Sequence, residues 1–146
     1  MIEIGRLEAS DRGEWEKLFA GYNEFYGREL TAEMADRAWS EFQADTRMHA
    51  LGAKLDGALV GLAHFLVHPS TTSADCCYLQ DLFTAPAARG MGAARALIAA
   101  VTDRARARGC ARVYWSTRTS NTTARRLYDR VAEDRGFMLY QIGLEP

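Results

Sequence analysis

The stretch LFTAPAARGMGAARALIAA, residues 82–100, decides the fold. It enters as an apolar, strand-like segment and passes through Pro86. It leaves as an alanine-rich helix whose Ala94, Leu97, Ile98, Val101 and Ala105 recur at helical spacing. Between the two lies Arg89-Gly90-Met91-Gly92. A helix start presents unpaired N–H groups and the positive end of the dipole. Glycines there let an anion approach the backbone, and an arginine adds a permanent charge, so the corner has the chemistry of a phosphate cradle. It is not a P-loop, because Ala93-Ala94 stand where Lys and Ser or Thr are required. It is not a dinucleotide fingerprint either: Arg95 takes the third glycine position, and the next strand, ARVYWST, carries no acidic residue. Taken alone, the pattern also suits a plain turn with a solvated arginine.

Upstream, residues 1–7 alternate as a strand, and Ser10 or Asp11 caps a helix carrying Trp15, Leu18, Phe19, Tyr22 and Phe25, which Gly27 ends. Thr31 opens a second helix with Met34, Ala38, Trp39 and Phe42 on one side. Residues 49–54 and 58–67 form a hairpin hinged on Asp56-Gly57. A polar connection at 69–75 then leads to a strand at 77–83. Downstream of the corner the pattern predicts a helix at 92–108 stopped by Gly109, a strand at 112–117, a helix at 121–133 and a last strand at 137–144. The order β-α-α-β-β-β-α-β-α-β describes an α+β fold built on a mostly antiparallel sheet.

The 146 residues suit a single domain, 1–146, and 48% apolar content suffices for its core. A net charge of −1 gives no general attraction to nucleic acid or membrane. Arg104, Arg106 and Arg108 belong to a helix C-terminus, where cations suit the dipole. Cys76, Cys77 and Cys110 are odd in number and have no zinc-like spacing, so a reduced, cytoplasmic, metal-free protein is expected. The N-terminus lacks the pattern of a signal peptide, and no apolar run reaches bilayer length.

The glycine corner, preceded by YLQDLFTAPA and followed one strand later by NTTARRLY, resembles the GNAT superfamily of acetyl-CoA-dependent N-acetyltransferases. The resemblance covers essentially the whole chain. It implies a mixed, twisted sheet, splayed in the middle, with helices on both faces. It assigns Arg89, Gly90, Met91, Gly92, Ala93 and Ala94 to the pyrophosphate of acetyl-CoA. It also assigns Leu82, Phe83 and Thr84 to the pantetheine arm.

In the second motif Asn121, Ala124 and Tyr128 fall at i, i+3 and i+7, on one helix face. Transfer to an amine expels a thiolate, which a phenol can protonate. The resemblance supports Tyr128 in that catalytic role and places Asn121 and Ala124 on the cofactor side; periodicity alone also allows a core tyrosine and a helix cap. A lysine-like amine must first lose a proton, at a cost of about 4–5 kcal/mol at neutral pH. In the polyamine-acetylating branch, which YLQDLFT resembles, a glutamate stands at the position of Gln80, and glutamine accepts no proton. Asp81 is the nearest carboxylate, although strict alternation turns it to the other face unless a bulge intervenes. His64 and a water relay are the alternatives. Tyr22, Glu24 and Tyr26 suit a cationic amine, with an ordinary amphipathic helix as the plainer reading.

The long segment DRVAEDRGFMLYQIGL resembles the fungal histone and polyamine acetyltransferase group and its bacterial relatives. That likeness implies small amines, polyamines, amino acids or lysine-like side chains as acceptors, and a homodimer with C-terminal strands near the interface. Direct attack in a ternary complex is the expected mechanism, and a non-catalytic acyl-CoA sensor is the alternative.

Overall fold

Asp56 and Gly57 reverse the chain with φ of 51° and 86°, the doubly positive turn that a two-residue hairpin needs. They join β2 (His49–Leu55) to β3 (Ala58–His68). This hairpin is the centre of a computed structural model that describes residues 1–145. The chain divides into two compact units, one running Met1–Trp115 and the other beginning at Ser116.

In the first unit β1 (Ile2–Arg6) and β4 (Cys76–Thr84) flank the hairpin, and β5 (Arg112–Tyr114) completes the order β1-β2-β3-β4-β5. All neighbours are antiparallel except β4 and β5. That parallel pair spans only Cys76–Tyr78 against Arg112–Tyr114, so β4 runs on to Thr84 with no strand of the described residues beside that edge. This is the splay expected of the sheet.

Thr31 caps α2 (Ala32–Ala44) by accepting from Met34 N–H at 3.2 Å, and Gly27, at φ 73°, ends the segment after α1 (Arg12–Phe25). These helices cover one sheet face, where Trp15, Phe19, Trp39, Phe42 and Leu62 form one core. The other face belongs to α3 (Ala93–Ala107): a Cβ on Gly61 would meet Leu97 Cδ1 at 3.1 Å. Adjacent strand residues face opposite ways, so Gly61 and Leu62 serve the two layers in turn.

The second unit holds α4 (Thr122–Val131). Two expectations fail downstream of Tyr114. The fifth strand ends there rather than at 117, and 137–144 forms no strand. Phe137, Leu139 and Ile142 are 90%, 77% and 86% exposed. Alternating apolar residues supply strand propensity, but a strand also requires a partner edge, and 137–144 pairs with none among the described residues. Phe25 also departs from the expected stripe: it is exposed, and Tyr26 packs on Tyr22 instead, with ring centroids 5.1 Å apart.

Candidate active site

The register of β3 against β4 jumps between His64↔Asp81 and Phe65↔Leu79, which leaves Gln80 as the extra residue of a bulge. The bulge corrects the expectation from strict alternation. It turns Asp81 to the same face as His64, under α1, and leaves Gln80 exposed.

A hydrogen-bonded chain follows. Trp15 Nε1 lies 3.0 Å from His64 Nε2, and His64 Nδ1 lies 2.8 Å from Asp81 Oδ2. Indole N–H can only donate, so His64 Nε2 is the acceptor and the ring proton sits on Nδ1, directed at the carboxylate. His64 is fully buried, stacked on Phe42 at 4.2 Å, with both nitrogens engaged. It therefore has no lone pair to offer a substrate, whereas Asp81 keeps 11% of its side chain exposed. Tyr22 stands beside Asp81, and burial, reinforced by that carboxylate, holds its phenol far above the usual range. Tyr22 is a donor here, not a base. Tyr26 is half-buried beside it, and Glu24 points to solvent.

At the corner Gly90 and Gly92 have φ of 81° and 88°, and a Cβ on either would meet nothing within 4 Å. Gly92 is the N-cap of α3, no side chain caps that end, and its first turn has no acidic residue. Ala93 is buried and Ala94 half-buried, while Arg89 and Met91 are exposed. Thr84, where β4 ends, holds a buried Oγ1 without a hydrogen-bond partner among the described residues. Open backbone, uncapped N–H groups, a free cation and an orphaned hydroxyl fit an anionic, hydrogen-bonding cosubstrate. A groove of about 590 Å³ runs beside this corner, lined by Lys17, Gly21, Phe83, Pro86 and Arg89 among others. Leu82 and Phe83 are half-buried.

In the second unit, Asn121 takes the N-cap position of α4, but its side chain makes no cap; Nδ2 donates to Thr117 Oγ1 at 3.4 Å. Ala124 and Tyr128 are half-buried on the same helix. Cys76 and Cys77 are buried, and burial pushes the Cys77 thiol up to about 11, which makes it a poor nucleophile at neutral pH. No group of three His, Cys, Asp or Glu among the described residues could hold a metal. Nor is any of the described helices long and apolar enough to cross a membrane.

The sequence reading missed Trp15 as the partner that sets the His64 tautomer, because residues 15 and 64 meet only through helix-on-sheet packing. It also missed Arg28, whose guanidinium lies 5.5 Å from the Tyr26 ring and 5.9 Å from that of Tyr22. The Gly27-Arg28 step was the available signal, since a positive φ after a helix folds the next side chain back.

The sequence model described as the acetyltransferase (GNAT) family matches residues 15–132. The D-amino-acid N-acetyltransferase HPA3 of Saccharomyces cerevisiae is 31% identical over 145 residues, covering 96% of this chain and 89% of the yeast protein. Among solved structures, a transcriptional regulator from Bacillus halodurans superposes with a TM-score of 0.87 at 20% identity, over 99% of this chain and all of that one. The aminoglycoside acetyltransferase AAC(6′)-Iy, in complex with a CoA-containing bisubstrate analogue, gives 0.87 at 18% identity and 99% of both chains. At these identities the two structures bear on the fold.

Proposed function

This chain belongs to the acetyltransferase (GNAT) family, and from that premise we propose that it transfers the acetyl group of acetyl-CoA to a primary amine by direct attack in a ternary complex. The observation that carries the reading is the open start of α3: uncapped, entered through Gly92 in the left-handed region, flanked by Arg89, and reached along a strand edge with no neighbouring strand among the described residues. The AAC(6′)-Iy complex, on the same fold, contains CoA. Nothing favours the non-catalytic sensor.

In this reading Arg89, the Gly90–Ala94 backbone and Asn121 hold the cosubstrate's phosphates and arm, with Ala124 leaving room on the same helix. Leu82, Phe83 and Thr84 align the pantetheine, and a backbone N–H near Leu82 or Phe83 polarises the thioester oxygen. When bound, acetyl-CoA supplies an activated acetyl group and a sulfur that must take a proton on leaving. Tyr128 donates that proton. Asp81 receives the amine's proton, with its carboxylate oriented by His64. Tyr22, Tyr26, Glu24 and Gln80 line the approach of the amine.

The exposed apolar residues of 137–144 support a homodimer, in which a second copy covers them. The reduced thiols support a cytoplasmic setting.

The test is CoA release from acetyl-CoA against polyamines, amino acids, aminoglycosides and histone-tail peptides, with thermal shift by acetyl-CoA in parallel. Stabilisation by acetyl-CoA and release with one amine class are expected. Stabilisation without release by any amine would sink the transferase reading.

A further inference from the structure

Arg28 is held in an unusual way for an exposed arginine. Its backbone N–H donates to Asn23 O at 2.8 Å, and its Nε donates to Asn23 Oδ1 at 3.2 Å. Asn23 is itself buried, at 2% exposure, and fixed by Nδ2 donating to Phe19 O at 2.8 Å. The guanidinium rests on the rings of Tyr22 and Tyr26. No carboxylate of the described residues pairs with it. With Nε engaged, the two terminal nitrogens, Nη1 and Nη2, remain as an end-on fork, the geometry that grips a carboxylate through two parallel bonds.

The fork stands one tyrosine away from Asp81, because Tyr22 presents its ring to Arg28 and its phenol to the carboxylate. A fixed cation and a fixed anion therefore flank the same aromatic side chain. We propose that Arg28 recognises an acceptor carboxylate while Asp81 takes the amine, so that the acceptor is an amino acid. The proposal rests on the acetyltransferase reading above and deepens it. A polyamine would bring a second positive charge toward Arg28 and be repelled, whereas an amino acid presents opposite charges to the two groups. The same geometry gives Arg28 the role of selecting among amines without taking part in the transfer.

The test uses a matched pair, phenylalanine (both enantiomers) and 2-phenylethylamine, which differ only in the carboxylate. With wild type, KM should be lower for one phenylalanine enantiomer than for the amine. In Arg28→Gln, KM for phenylalanine should rise about ten-fold or more, as expected for loss of a charge-assisted pair, with kcat nearly unchanged and KM for 2-phenylethylamine unmoved. Arg28→Lys, which keeps the charge and loses the fork, should fall between the two. Equal KM changes for acid and amine in Arg28→Gln would overturn the proposal, as would a wild type that acetylates 2-phenylethylamine or polyamines but neither enantiomer. Both outcomes leave the transferase standing. Absence of CoA release with every amine is the separate result that removes the parent reading and this one with it.

Discussion

His64 Nδ1 approaches Asp81 Oδ2 to 2.8 Å across a β-bulge, and the proton in that contact belongs to the histidine because Trp15 occupies its other nitrogen. A neutral imidazole that can only donate toward Asp81 orients the carboxylate without neutralising it. The carboxylate keeps 11% of its side chain exposed, beside Tyr22.

Asp81→Asn keeps the shape and removes both the charge and the proton acceptor. It should lower kcat/KM for the amine about 100-fold or more, the scale of a lost general base. Thermal unfolding would show the fold retained. The lost activity should return in part as pH rises, because the amine then sheds its proton unaided; a parallel pH profile in both proteins would remove Asp81 from this role.

Asp11 ties the start of the first helical segment to the sheet. Its carboxylate is bonded to Lys54 at 2.8 Å and accepts from Glu8 N–H at 2.8 Å. Burial pushes its pKa upward, and the bonds to Lys54 and Glu8 N–H outweigh this, so the net shift is downward. A carboxylate depressed in the folded state contributes stability above its unfolded pKa and loses it as pH falls through the folded value. Asp11→Asn should therefore cost about 1–2 kcal/mol at neutral pH. Denaturant titrations should show that difference shrinking as pH falls below about 4. A difference independent of pH would mean that packing, not charge, is what Asp11 provides.

The contrast between these two aspartates explains what could be read in the chain. Asp56-Gly57, Thr31 and Gly27 act through local backbone geometry, so each announces its turn, cap or stop in a few residues. Asp81 does not, because YLQDLFT reads as an unbroken alternating strand and the bulge at Gln80 arises from how β4 matches β3. The expected strand at 137–144 erred for the complementary reason: its alternation is real, but pairing is a property of two segments. Arg28 lay hidden because its partners, Asn23, Tyr22 and Tyr26, come together only once Gly27 takes φ 73°. The open start of α3 was legible because it is a matter of backbone geometry, written directly by glycine and alanine.

Gly92 and Arg89 separate conformation from charge at that corner. Gly92→Ala places a Cβ in open space but at φ 88°, which costs roughly 1–2 kcal/mol. Arg89→Ala touches an exposed side chain and should leave stability within about 0.5 kcal/mol. Calorimetric titration with acetyl-CoA should show about ten-fold weaker binding for Arg89→Ala, the loss expected for one charge-assisted phosphate contact. Unchanged affinity would count against the cradle.

Tyr128→Phe addresses the other half of the reaction. The phenol lies on the face of α4 that also carries Asn121 and Ala124, and Phe preserves the ring that half-buries there. If the hydroxyl protonates the leaving sulfur, its removal acts on the barrier and not on binding. kcat should then fall about 100-fold while acetyl-CoA affinity stays within two-fold. An acyl-donor thioester with a more acidic thiol leaving group needs the proton less, so the variant should lose less activity with it than with acetyl-CoA. Equal losses with both thioesters, or a drop in affinity that accounts for the whole effect, would assign Tyr128 to holding the cosubstrate instead.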